Sequence, residues 1–197
     1  MAATVDHLSG GRLEFGFGAG GDDHVDQMYG RPLRPAATRI ARWAEACETL
    51  RLLWTESTVD YRGEHYTLTA ATSDPKPLQR MRMWLGSNGE RYGLRVVARH
   101  ADVWVSASLP GTPVSELARI SAVLDRHCEA IGRDPATIRR ASQFWLPAAT
   151  DDALRLVEEH VKAGFTDLVF MGRDTGEDAV TWTARTAEAL PRFRNAG

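Results

Sequence analysis

Cysteine is nearly missing from this chain: Cys47 and Cys128 are its only two, in 197 residues. Both fall on apolar faces of predicted helices, where a free thiol behaves as a small hydrophobe, and a reducing, cytoplasmic compartment is expected. An excess of one charge is also missing. The 24 basic and 26 acidic residues give a net charge of -2 and mix along the chain, which argues against nucleic acid or a membrane surface as partner. No apolar run approaches the ~20 residues of a membrane span, and the N-terminus lacks the basic start and apolar centre of an export signal. The chain has no Walker loop, no Gly-x-Ser-x-Gly elbow and no His-Glu-x-x-His helix. No low-complexity tract, repeat or linker divides it, so a single domain over 1–197 is expected, with a small molecule as ligand.

What is present is an alternation of short apolar strands and amphipathic helices. Ala2 to Leu8 reads as the end of a helix closed by Ser9-Gly10-Gly11. Leu13 to Phe17 is the first strand, and Asp22 to Pro35 is expected to be a long loop. Ile40, Trp43, Ala44, Cys47, Leu50 and Leu53 step by three and four, predicting a helix from about Ala37 to Trp54. Val59 to Leu68 alternates around Arg62-Gly63 and reads as an inserted β-hairpin. Strands follow at Met81 to Leu85, Val103 to Val105, Ile138 to Leu146 and Thr166 to Met171. Helices lie between them, one capped by Thr112 with Pro113 at its first position, one carrying Asp151 and Asp152 in its first turn and ended by Gly164. Five β/α units in this order mean parallel strands joined by right-handed crossovers.

Ligand chemistry belongs at the C-terminal ends of such strands, where the exit loops gather. Gly16, Gly18 and Gly21 spell Gly-x-Gly-x-x-Gly after the first strand, but the prolines and the missing helical period downstream argue against a dinucleotide fold. What remains is a strand whose exit, Gly18-Ala19-Gly20, is stripped of side chains. Gly86-Ser87-Asn88-Gly89 precedes a helix, so the amides of Ser87 to Glu90 form either a phosphate cradle or a plain tight turn. Ser106 to Gly111 and Gly172 to Gly176 are further exits. Asp22-Asp-His-Val-Asp26 matches no metal site by its spacing and reads as a solvated loop, so no metal is expected. His100 and Asp102 stand at the wrong end of the sheet for catalysis and read as stability residues, while His127 and His160 read as solvated or half-buried helix residues. Tyr61, Tyr66, Trp84, Trp104 and Trp145 either stack on an aromatic ligand or belong to the core. No side chain is an obvious acid or base, and the catalytic residues are unknown at this level.

Several of these pieces, taken in order, resemble the luciferase-like monooxygenase family: Asp6-His-Leu-Ser-Gly-Gly-Arg-Leu-Glu-Phe-Gly-Phe-Gly-Ala-Gly20, Tyr29-Gly, Arg39, Leu50-Arg-Leu-Leu-Trp54, Tyr61-Arg-Gly-Glu-His-Tyr66, Pro75-Lys-Pro77, Leu85-Gly-Ser-Asn-Gly-Glu90, Arg99-His-Ala-Asp-Val-Trp104 and Gly132-Arg-Asp-Pro135. The resemblance implies an α/β TIM-barrel fold and an oxidoreductase that uses FMN or the deazaflavin coenzyme F-420. It implies that Gly86, Ser87, Asn88, Gly89 and Glu90 hold the cofactor phosphate, that Gly18, Ala19 and Gly20 edge its ring or ribityl region, and that Asp23, with Ser106 at another exit, faces substrate. A full barrel has eight units and ~250 residues, so five units imply an incomplete barrel whose first strand matches the family's fourth. An open arc exposes two sheet edges, so a homo-oligomer or a partner chain is expected to cover them. The alternatives are a truncated relative that binds without turnover and a flavodoxin-like binding protein, since five units suit that sheet too.

Overall fold

The computed structural model describes residues 1–21, 23–30, 32–107, 111–147, 149–171 and 178–194. Its elements are α1 (Ala2–Leu8), β1 (Glu14–Phe17), α2 (Asp23–Met28), α3 (Ala36–Thr55), β2 (Val59–Arg62), β3 (Thr67–Ala71), β4 (Arg82–Gly86), α4 (Gly93–His100), β5 (Val103–Ala107), α5 (Val114–Glu129), β6 (Arg139–Trp145), α6 (Thr150–Lys162), β7 (Asp167–Met171) and α7 (Ala179–Arg194). One sheet runs β1-β4-β5-β6-β7, every neighbouring pair parallel, and β2 and β3 form a separate antiparallel hairpin. The sheet order follows the chain order without reversal, which excludes the flavodoxin-like arrangement, where the order turns back at a switch point. Right-handed crossovers all made in one direction leave the helices on one face. The sheet curls into a half-barrel with its other face concave.

Strand alternation assigns the two faces. Phe15, Phe17, Met83, Leu85 and Trp104 point to the helices and pack on Trp43, Cys47, Leu94, Val97, Leu117 and Leu124. A second cluster joins Phe144 and Leu146 to Val157 and Phe193. His160 belongs there: fully buried, its ring lies 4.1 Å from that of Phe144 at 13°. The expectation of a solvated or half-buried histidine is corrected, because the apolar periodicity of α6 carries its imidazole inward. Cys47 and Cys128 are buried free thiols, and burial pushes the Cys47 thiol up to about 12.

Two boundaries differ from the sequence reading. Within 22–35 the structure has a helix, α2, rather than a continuous loop; Gly30, with φ +64 and its amide donating to Gln27 O, ends it in the left-handed conformation that favours glycine. The prolines lie beyond that glycine, so they never forbade a helix. Its Val25 and Met28 remain exposed, and the crossover that packs on β1 is α3. Pro113 occupies the N-cap itself, one position earlier than expected, with no side-chain cap bond from Thr112.

Asp102, where α4 passes into β5, ties the strand-starting end together. Its carboxylate accepts from Arg51 of α3 at 2.8 Å, Arg80 at 2.6 Å and the Met83 amide at 2.8 Å, while its carbonyl accepts from the Arg139 amide. Burial alone would raise the Asp102 carboxyl; the Met83 amide and the two guanidinia hold it below the usual carboxylate range. Neighbouring His100, one side of its ring facing Glu48 at 3.9 Å, is pushed down to about 4, chiefly by burial. Asp102→Asn is expected to cost about 3 kcal/mol in chemical denaturation, since two guanidinia lose their anion. His100 sets a pH dependence. Its folded pKa is depressed, so the stability present above its ordinary 6.5 is lost as pH falls toward about 4, by at most about 3 kcal/mol. His100→Gln should flatten that slope in urea midpoints measured across the interval, and an unaltered slope refutes the assignment.

Candidate functional site

The parallel register brings the glycines of two strand exits side by side. A Cβ on Gly18 would stand 3.7 Å from Gly86 O, and one on Gly86 would stand 3.7 Å from Val105 O. Both are ordinary contacts, so neither glycine is forced by crowding; their effect is to leave backbone bare where β1, β4 and β5 end. On the concave side this bare patch continues into a depression lined by Gly16, Trp84, Val105, Gln143 and Val169. Its floor carries charge: Arg82 pairs with Glu14 at 2.7 Å, Arg139 pairs with Asp167 and lies over the Trp84 ring at 5.5 Å, and the Trp84 indole donates to Glu14.

The segment after β4 is held from below. Trp104 Nε1 donates to Ser87 O at 2.7 Å, Asn88 Nδ2 donates to Ala107 O at 2.9 Å, and Ser106 Oγ donates to Asn88 Oδ1 at 3.0 Å. Ser87 Oγ accepts the Gly89 amide at 3.1 Å. Glu90 turns to α5, where Arg119 grips its carboxylate with both terminal nitrogens and holds it below the usual range, while His127 donates to its carbonyl. The helix starts at Gly93 rather than directly after Gly89, three residues later than the cradle reading expects. Among the described residues the amides of Glu90, Arg91 and Tyr92 engage no acceptor. Trp104, an open choice between stacking and core, is core.

Ser106 is fully buried on the helix-facing side. It reaches the exits through Asn88. Asp23 opens α2, and its side chain lies outside the described residues, as does the exit at 172–177. Gly18, Ala19 and Gly20 do line a cavity, but on the helix side of β1. This cavity, of about 680 Å3, is also lined by Arg34, Arg39, Arg42, Trp43 and Tyr66. Arg39 is fixed by donating from Nε to Arg34 O at 3.0 Å and from Nη1 to Gly20 O. Arg42 leans over the Tyr66 ring at 5.8 Å. Among the described residues none of the three arginines has a carboxylate partner; Glu45, nearby on α3, is occupied by the amides of Glu64, His65 and Tyr66 at 2.8–3.0 Å. Trp43, only 4% exposed, carries a buried indole N–H with no acceptor. Sequence reasoning passed over Arg34, Arg42 and Trp43; the signal was present as Arg39 and Arg42, three apart in the first turns of the helix, downstream of a strand exit made of glycine and alanine.

The family model described as luciferase-like monooxygenase matches residues 1–194. The chain belongs to that family. It is similar to the pyrimidine monooxygenase RutA of Klebsiella pneumoniae, 26% identical over 190 residues, covering 95% of this chain and 49% of RutA. An uncharacterised protein of Mycobacterium tuberculosis is 32% identical over 105 residues, covering 53% of this chain and 36% of that one. The chain therefore spans half or less of the length of these relatives. Among solved structures it superposes on an F420-dependent secondary alcohol dehydrogenase with a TM-score of 0.77 at 15% identity, covering 87% of this chain and 67% of that one. The coenzyme F420-dependent tetrahydromethanopterin reductase of Methanopyrus kandleri gives 0.76 at 14% identity, with 98% and 77% covered. These establish the fold as that of luciferase-like barrel enzymes, here with a parallel sheet of five strands among the described residues.

The packing at the exit is testable without any ligand. A Cβ on Gly93 would overlap both the Cβ and the hydroxyl of Ser87. Gly93→Ala is expected to cost about 1–3 kcal/mol, and Ser87→Gly in the same chain should return most of it. A double-mutant cycle that comes out additive would show that the two residues do not meet.

Proposed function

We propose that this chain binds a flavin-type cofactor, FMN or coenzyme F-420, at the exits of β1 and β4 and serves as an oxidoreductase of its family. The observation that carries the reading is the cavity beside Gly18, Ala19 and Gly20. Three arginines that among the described residues have no carboxylate partner, an indole N–H buried without an acceptor there, and a backbone bare of side chains are what an anionic, flat-ringed ligand needs at one end. Gly20, with φ +71 and nothing within 4 Å of a Cβ position, leaves room for close approach. Arg39, already oriented by two carbonyls, would hold the anionic group, with Arg42 and the Trp43 N–H beside it. The free amides of Glu90 to Tyr92 offer a second set of donors.

When bound, the flavin or deazaflavin ring supplies hydride chemistry. The chain's own contribution is orientation and exclusion of water. Trp84, Val105 and Val169 form an apolar wall on the concave face, and Gln143 is its one uncharged polar side chain among the lining residues, placed to orient a small-molecule substrate by hydrogen bonding. The names of the relatives support this class: RutA is a monooxygenase, and two of the solved neighbours use F420.

A second reading has its own observation. The concave face is open on one side, because the sheet has five strands, so a chain that binds cofactor without turnover is the rival. Titrating the purified protein with FMN and with coenzyme F-420, followed by absorbance and fluorescence, tests the proposal. Saturable binding of one of them is expected, with affinity reduced about tenfold or more by Arg39→Ala and by Arg42→Ala and weakened by salt. Unchanged affinity in both variants removes the arginine cavity from the site. Reduction of the bound cofactor by a nicotinamide or sugar-phosphate donor separates enzyme from silent binder.

A further inference from the structure

The helix layer holds a second concavity, lined by no strand residue and sharing no residue with the arginine cavity at the β1 exit. It is a groove of about 420 Å3 between α3, α4 and α5. Val96, Ala130 and Ile131 give it an apolar side, where Ile131 is 49% exposed, and Arg95, Arg99, His100 and His127 give it a polar one. Arg95 and Arg99 stand one turn apart on α4, a spacing at which like charges repel. Among the described residues neither side chain has an ion pair or a hydrogen bond. The groups that would ordinarily answer them are engaged elsewhere. Glu48 of α3 accepts from the Tyr61 hydroxyl at 2.9 Å and faces His100, and Glu129, the last residue of α5, pairs with neither arginine among the described residues. The carbonyls of Ala98 and Ala101, where the end of α4 attracts cations, are taken by Arg133.

We propose that this groove binds a small organic anion, a carboxylate or phosphate carried on an apolar body, with its charged head on Arg95 and Arg99 and its body on Val96, Ala130 and Ile131. Two guanidinia offer planar forks that match either head, and an anion between them removes the repulsion that the empty groove bears. A concavity of this volume, part apolar and part polar, suits a small molecule rather than a bare ion. The two histidines shape the site without supplying its charge. His127 is held by donating from Nε2 to Glu90 O at 2.7 Å. His100 is pushed down to about 4, first by burial, with Glu48 acting against that shift and Arg99, Arg51 and Arg133 adding to it, so at neutral pH its ring is uncharged. The charge of the groove is therefore that of its arginines. The site stands independently of the cofactor reading.

Histidine ring signals in nuclear magnetic resonance test this. Titrating the purified chain with hexyl phosphate and with hexanoate should move the signals of His100 and His127 together and saturably with at least one of the two, leaving those of His7 and His160 in place. Inorganic phosphate and acetate, the same heads without the body, should bind about tenfold or more weakly than their six-carbon counterparts. Arg95→Gln and Arg99→Gln should each lower the affinity about fivefold. Their urea midpoints should be no lower than the parent's, since removing one of two like charges relieves repulsion. Hexylamine, with the same body and the opposite charge, should leave both signals unmoved. Unmoved His100 and His127 signals with both six-carbon anions, affinity untouched in both arginine variants, or equal binding of the short anions overturns the proposal. Shifts at His65 in place of His100 and His127 put the anion in the cavity beside Tyr66, which supports the cofactor reading and overturns this one.

Discussion

Asp102 holds the half-barrel in register. A parallel sheet has no hairpins to fix how its strands slide, so register must come from side chains that bridge the crossovers. One carboxylate here binds α3 through Arg51, the segment leading into β4 through Arg80 and the Met83 amide, and through its own backbone the start of β6. Arg133 completes the arrangement by donating to Ala98 O and Ala101 O at 2.9 and 2.7 Å, closing the end of α4. With the strand starts fixed, the strand ends are fixed too. Gly18, Gly86 and Val105 reach the same level, and a bare surface forms at the other end of the sheet.

The two ends of the sheet treat arginine differently. At the strand-starting end Arg51, Arg80, Arg82 and Arg139 each face a carboxylate within 4.0 Å. At the exit of β1, Arg34, Arg39 and Arg42 line the cavity, Arg39 donating to carbonyls and Arg42 lying over a phenol ring. Matched charge adds rigidity, whereas unmatched charge in a concave site costs self-repulsion and is repaid only when an anion arrives. That asymmetry agrees with the division of parallel α/β folds into a stability end and a ligand end.

The fold was legible because its signals are periodic. Helix α3 announced itself by apolar steps of three and four, the strands by short apolar runs, and the hairpin by alternation around Gly63, where Glu45 caps three amides that no sequence pattern reveals. His100 and Asp102 were rightly placed away from the ligand end. The site was legible only as backbone. Glycine exits could be located, but which side chains converge on them depends on face and register: Ser106 falls one residue out of phase with the concave face, and Glu90 is drawn off by Arg119 of α5, 29 residues further along the chain. Buried His160 shows the same limit, since periodicity gives a face and the neighbour at that face, Phe144, comes from another element.

The open edge gives the glycine strand its particular importance. Inside a closed ring a strand such as Glu14-Phe-Gly-Phe17 is stabilised on both sides, so the poor strand propensity of glycine is tolerable. Among the described residues β1 is paired with β4 alone, and Phe15 and Phe17 hold it through ring contacts to Trp54 and Trp43, at 5.2 and 6.5 Å. Those aromatic contacts lie on the helix face, the face that also forms the arginine cavity through Phe17 and Trp43. The packing that keeps the edge strand in place and the surface that would receive an anion are therefore built from the same two rings. Whatever orders the cavity wall therefore also orders the edge strand, because Phe17 and Trp43 belong to both.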